Sequence, residues 1–185
     1  MRKLTLLVFV ATAVFSCKSP EARRPVMQRT GSYIDQSIER NKQLVAQEEE
    51  VIYHIIEEDS TNTYISSPDG FWYYYQNEDT TATETPEFGD VVEFDYNIET
   101  LDGRIIYSEE ELPTRTYAID REELFTGLRQ GLKLMNEGET VTFLFPSHKA
   151  FGFYGDKDRI GTNVPIKSTV TLNKINQENS NSINN

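Results

Sequence analysis

From Tyr33 to Asp59 the apolar residues Ile34, Ile38, Val45, Ile52 and Ile55 recur at spacings of four, seven, seven and three, with no glycine or proline between them. That period places them on one stripe and predicts a helix, with Ser32 as its N-terminal cap. Asn41 and Glu48 interrupt the stripe where a coiled-coil seam wants apolar residues. Two arrangements stay open: a helix packed on its own domain or standing as a stalk, and a helix pairing with a second copy.

From Tyr64 the period shortens. Phe71-Trp72-Tyr73-Tyr74-Tyr75 follows the turn Ser67-Pro68-Asp69-Gly70 and predicts a strand with aromatics on both faces. Asn77 to Gly89 is acidic and Thr-rich, a surface loop. Val91 to Glu99 alternates as a strand, and Leu101-Asp102-Gly103-Arg104 turns it into Ile105-Ile106-Tyr107. Thr114 to Ala118 is a short extended piece. Asp120 is placed to cap a brief helix through Leu128, and Gly131, Asn136 and Gly138 break the segment after it. Thr140 to Phe145 and Ser168 to Ile175 are the last strong strands, separated by a loop of more than twenty residues holding Gly152, Gly155, Gly161 and Pro165. Loops this long in a compact domain tend to carry function. About five antiparallel strands and one short helix, each with an apolar face, bury those faces when the sheet wraps the helix. The fold class expected is α+β, an antiparallel half-barrel preceded by the N-terminal helix.

The front of the chain has a different pattern. Arg2 and Lys3 precede Leu4 to Phe15, a 12-residue run without charge, and Ser16-Cys17 closes it. The run is too short to span a bilayer as a helix but suits the core of a signal peptide. Cys17, the single cysteine, then stands where a bacterial lipoprotein is cut and acylated. Residues 1–16 are read as the signal, 17–32 as a tether, 33–60 as the helical segment, 65–176 as the folded domain and 177–185 as a disordered tail. The expected location is a membrane surface facing the periplasm. Lys18 rather than Asp after Cys17 gives no inner-membrane retention signal, which favours the outer membrane.

Charge narrows the partners. The formal net charge is −12, and loss of Arg2 and Lys3 with the signal takes it to −14. Such a surface repels phosphate backbones, so nucleic acid is not an expected partner. His54 and His148 lie far apart without cysteine companions, so no metal site is expected, nor any cofactor. Glu48-Glu49-Glu50 and Glu109-Glu110-Glu111 read as solvated faces. Neither a Gly-x-Ser-x-Gly elbow nor a phosphate-cradling loop occurs, so an apolar cavity is the site to expect.

The order of several motifs then resembles a family. Gly89-Asp90-Val91-Val92-Glu93-Phe94-Asp95-Tyr96 with Asp102-Gly103-Arg104-Ile105-Ile106-Tyr107-Ser108, Leu124-Phe125-Thr126-Gly127-Leu128 through Gly131-Leu132, Met135-Asn136-Glu137-Gly138-Glu139, Phe145-Pro146, Ala150-Phe151-Gly152 and Val164-Pro165 are similar to the successive motifs of FKBP-type peptidyl-prolyl isomerases. The resemblance covers about residues 65 to 176. It implies a pocket walled by Tyr96, Ile106, Tyr117, Leu124, Phe125, Phe151, Val164 and Leu172. Leu128 would form the floor, where the family most often has tryptophan, and the Val164 N–H would hold a carbonyl of the bound peptide. It also implies proline-containing polypeptide clients. Two positions depart: the family's aspartate is here Tyr107, and its tyrosine after alanine is Phe151. The loss of a hydroxyl partner for a bound carbonyl implies weak turnover. A chaperone or binding module on the same scaffold is the alternative, and a carrier of an apolar ligand the one after it.

Overall fold

A computed structural model describes residues 30–178. The signal, Cys17 and most of the tether lie outside these residues, as does the tail beyond Glu178. Helix α1 spans Thr30–Glu58. It includes Ser32, which the sequence placed just before the helix. The described residues from Glu39 to Glu178 belong to one compact unit.

In that unit β1 (Ile65–Ser66), β2 (Trp72–Asn77), β3 (Val91–Tyr96), β4 (Ile98–Thr100), β5 (Ile105–Tyr107) and β6 (Arg115–Ala118) precede helix α2 (Thr126–Leu132). Strand β7 (Thr140–Phe145), two 3-10 turns at Ser147–Lys149 and Gly152–Tyr154, and β8 (Ile166–Asn176) complete it. All pairings are antiparallel, in the order β1-β2-β7-β8-β3-β6, with β4 pairing both β5 and β8. The sheet thus has eight strands where the sequence suggested about five.

One reason for the difference is Asn97, which splits the expected Val91–Glu99 strand. Its side-chain oxygen accepts the Thr169 N–H at 2.8 Å and its carbonyl accepts the Ser168 hydroxyl at 2.6 Å. These bonds bend the strand while keeping both halves on β8, where Phe94 faces Leu172 and Glu99 faces Lys167.

Strand β8 shows why the sheet closes on a core. Ile166, Ser168, Val170 and Leu172 alternate as buried residues on one face. Ile166, Val170 and Leu172 meet Phe71, Phe94, Tyr117, Leu128, Leu132, Phe143 and Phe145 in the main cluster. The helix comes very near the sheet: a side chain at Gly131 would start 2.8 Å from the Phe143 ring, and one at Gly127 would collide with the Phe145 ring. Gly131 therefore sits within α2 as a contact surface and does not end it. Asp120 does not cap α2 either. It adopts φ 59° six residues ahead of the helix and binds Lys133 at 2.9 Å and Arg129 at 3.5 Å on it.

The other sheet face carries Leu144 and Trp72, which pack against Ile52 of α1. Trp72 also meets the Tyr53 ring edge-on at 5.1 Å. Glu48, expected in solvent, is buried. Gln177 and Glu178 also depart from the expected tail, because the Glu178 N–H donates to Asp90 at 2.8 Å and its carboxylate pairs with Arg121.

Candidate active site

A cavity of about 540 Å³ opens where the end of β3, the start of β6, the segment before α2 and the first turn of the long loop converge. Tyr96, Leu124, Phe125 and Phe151 line it, together with Arg115, Glu122, Glu123 and Arg129. Phe125 holds the centre of the apolar wall. Its ring meets Phe145 edge-on at 5.5 Å and Phe151 at 5.0 Å. Tyr96 stands beside Phe94, their centroids 5.4 Å apart.

The remaining expected site residues are placed differently. Tyr117, Leu128 and Leu172 have no exposed surface and belong to the core behind the cavity. Leu128, expected as the cavity floor, lies in the core and outside the cavity lining. Ile106, Tyr107 and Val164 are partly buried against the same core, outside the cavity lining. The four charged lining residues had not been expected. Arg115 could have been found from β6 alone, since it lies two residues before Tyr117 and so shares its face of the strand. Its guanidinium donates to the Glu123 carbonyl at 3.1 Å, which holds the segment leading into Phe125. Tyr117 assists from below, its hydroxyl accepting the Asp120 N–H at 3.3 Å.

Tyr107 turns to the long loop instead. Its hydroxyl donates to Asp156 at 2.5 Å, and the Arg159 guanidinium lies 4.7 Å over its ring. The bond to Asp156 pushes the phenol up to about 12. Asp156 in turn accepts the N–H groups of Asp158 and Ile160 at 2.9 and 2.8 Å, so Tyr107 clamps the turn just after Gly155. Among the described residues no group of three or more His, Cys, Asp or Glu converges as a metal site. No described helix is long and apolar enough to cross a membrane.

The lining offers aromatic and aliphatic surface with a charged rim, and none of the serine, cysteine or histidine that covalent or imidazole chemistry uses. That combination is an apolar recess with a charged rim on an α+β domain. Residues 82–173 match the family profile of FKBP-type peptidyl-prolyl cis-trans isomerases, and this part of the chain is a domain of that family of enzymes. A peptidyl-prolyl cis-trans isomerase from Pseudomonas syringae pv. tomato is similar, with 20% identity and a TM-score of 0.58 over 74% of this chain and 96% of that one. FkpA from Escherichia coli is also similar, with 18% identity and a TM-score of 0.58 over 93% of this chain and 81% of that one. At these identities the likeness is one of fold.

Proposed function

We propose that the cavity between Tyr96, Phe125 and Phe151 turns X–Pro bonds in polypeptide clients outside the cytoplasm, on a domain tethered to the envelope through acylated Cys17. The observation that carries the reading is the convergence of Tyr96, Leu124, Phe125 and Phe151 on one open cavity. Rotation about an X–Pro amide must cross a barrier of roughly 18–20 kcal/mol, because resonance resists twisting. The twisted amide has lost that resonance and is less polar than the planar one. A dry aromatic wall therefore favours it relative to the ground state, and no proton donor or nucleophile is obligatory.

The anchor rests on Arg2, Lys3, the run from Leu4 to Phe15 and Cys17. Added to the isomerase motifs, the same features liken the chain to the gliding-motility-associated isomerase lipoproteins, a likeness that supports periplasmic, outer-membrane or gliding-machinery proteins as its clients. The anchor is tested by fatty-acid labelling in cells: the label is expected in the parent and lost in Cys17→Ala. A label that persists in that variant overturns it.

A second reading, a binding module with reduced turnover, is favoured by one observation. Phe151 presents no hydroxyl to the cavity, and Tyr107 directs its own to Asp156. A hydrogen bond to a bound carbonyl contributes about 0.5–1.5 kcal/mol, so Phe151→Tyr is expected to raise kcat/KM by up to about tenfold. A proline-limited refolding assay checks this. Protection from aggregation with no rate enhancement in either protein would favour the binding module.

A further inference from the structure

Glu48 sits in a run of three glutamates, yet it is only 6% exposed. One carboxylate oxygen accepts the Ser147 backbone N–H at 2.8 Å and the other accepts the Ser147 hydroxyl at 2.7 Å. Burying a carboxylate is unfavourable unless hydrogen bonds replace its water, and bonds to an ionised acceptor are the stronger kind. Both oxygens are committed to one residue that lies 99 positions away.

Ser147 opens the 3-10 turn whose exit delivers Phe151 to the cavity wall. Within the turn the N–H groups of Lys149 and Ala150 both return to the Pro146 carbonyl, at 2.9 and 3.2 Å. Its far side bears on α2, because the Lys149 carbonyl lies 2.9 Å from where a side chain at Gly127 would begin. Gly127 comes two residues after Phe125. Both aromatic walls of the cavity thus lean on a single turn, and α1 grips the first residue of that turn.

We propose that Glu48 is a positioning residue for isomerisation: through Ser147 it sets the spacing between Phe125 and Phe151. The inference rests on that cavity being the isomerase site. Helix α1 then belongs to the catalytic unit and is more than a spacer. A wall held in place beforehand spares the substrate the work of ordering it.

The test uses the full chain and a proline tetrapeptide, comparing parent, E48A, E48Q, S147A and the double variant E48A/S147A. Emission of Trp72, the chain's one tryptophan, is recorded alongside. Because Trp72 packs on Ile52 and Tyr53, it reports whether α1 remains seated. E48A and S147A are each expected to lower kcat/KM about fivefold with Trp72 emission unchanged, and the double variant to fall no further than the worse single one. E48Q, which keeps an acceptor for Ser147, is expected to recover to within about twofold of the parent. Parent-like activity in E48A overturns the proposal. So do single losses that multiply in the double variant, or a loss seen only where Trp72 emission shifts as it does in I52A. A parent no faster than the spontaneous rate would instead overturn the isomerase reading. The link is then read from the amide resonances of Phe151 and Gly152 in E48A, and unchanged resonances would overturn it.

Discussion

Replacing Phe125 by alanine is expected to lower kcat/KM about 10- to 100-fold, corresponding to about 1.4–2.7 kcal/mol of lost transition-state stabilisation. Phe125 lies between Phe145 and Phe151 with its ring facing the cavity, so truncation removes a wall and opens the apolar surface to water. A twisted amide then gains less over a planar one, because both sit beside solvent. Deleting a fully buried phenylalanine costs about 3–5 kcal/mol of stability. Phe125 is only partly buried, so its loss should cost less, and the folded fraction remains available for assay. A protease-coupled peptide assay checks the rate and a denaturant titration checks the fold. A variant that is folded and as fast as the parent would remove the aromatic wall from the mechanism. Leu128→Arg, the variant that the sequence alone suggests for blocking the pocket, is no substitute. It places a guanidinium in a site with no exposed surface and attacks the core first.

Gly155→Ala should be the most damaging small substitution outside the core, with a loss of about 3–5 kcal/mol. Gly155 has φ 61° and ψ −162°, a conformation that L side chains rarely adopt. A Cβ there would collide with the Ile160 carbonyl oxygen and come within 2.9 Å of the Gly161 carbonyl. Both obstacles are backbone, so no rotamer change relieves them. The turn they belong to is the one Tyr107 holds through Asp156, and widening it strains the bonds that close it, from the Asp156 N–H to the Ile160 carbonyl at 3.1 Å and from the Ile160 N–H to the Asp156 carboxylate at 2.8 Å. Gly138→Ala supplies the comparison. Its φ of 87° is similarly strained, but nothing lies within 4 Å of the added carbon. Strain alone predicts about 1–2 kcal/mol there. Denaturation midpoints of the two variants separate collision from strain. If Gly155→Ala falls within about 1 kcal/mol of Gly138→Ala, the carbonyl contact does not govern the turn.

Legibility of the fold tracked the range of the interactions. The hairpin at Leu101–Arg104 could be read because Gly103, at φ 86°, is a local requirement of the turn. Strand β8 could be read because burial on a pleated sheet imposes a period of two on adjacent residues, and β7, buried on both faces, as a continuous run rich in β-branched and aromatic residues. The helix through Ile52 could be read from the roughly 3.6-residue period of its apolar stripe. Where a partner distant in sequence decided the outcome, local pattern misled. Asn97 looks like any strand residue until Ser168 and Thr169 lie beside it. Gly131 looks like a helix terminator until the Phe143 ring is set against it. Asp120 looks like a cap, but its carboxylate partners are Arg129 and Lys133 on the far side of a turn.

The cavity shows the same division. Motif order named Tyr96, Leu124, Phe125 and Phe151, and these four line one cavity, because each occupies a fixed place near the end of a strand, helix or turn. It could not separate Tyr117, Leu128 and Leu172 from them, since an apolar residue behind a wall and one on its surface satisfy the same pattern. The Arg115 and Arg129 rim escaped because a charged residue at the edge of a strand or on a helix reads as solvent-facing.

By itself the sequence determined the class of fold and most of the segments that build it, since these are carried by short-range periodicity and by the spacing of turns, while the family came from the order of motifs that resemble FKBP-type isomerases. The tertiary structure decided which apolar residues face the cavity, and that Tyr107 serves the long loop. It also decided that Glu48 is buried against Ser147. Those outcomes depend on what lies across the sheet, where hydrogen bonding and burial are set by residues up to 99 positions away.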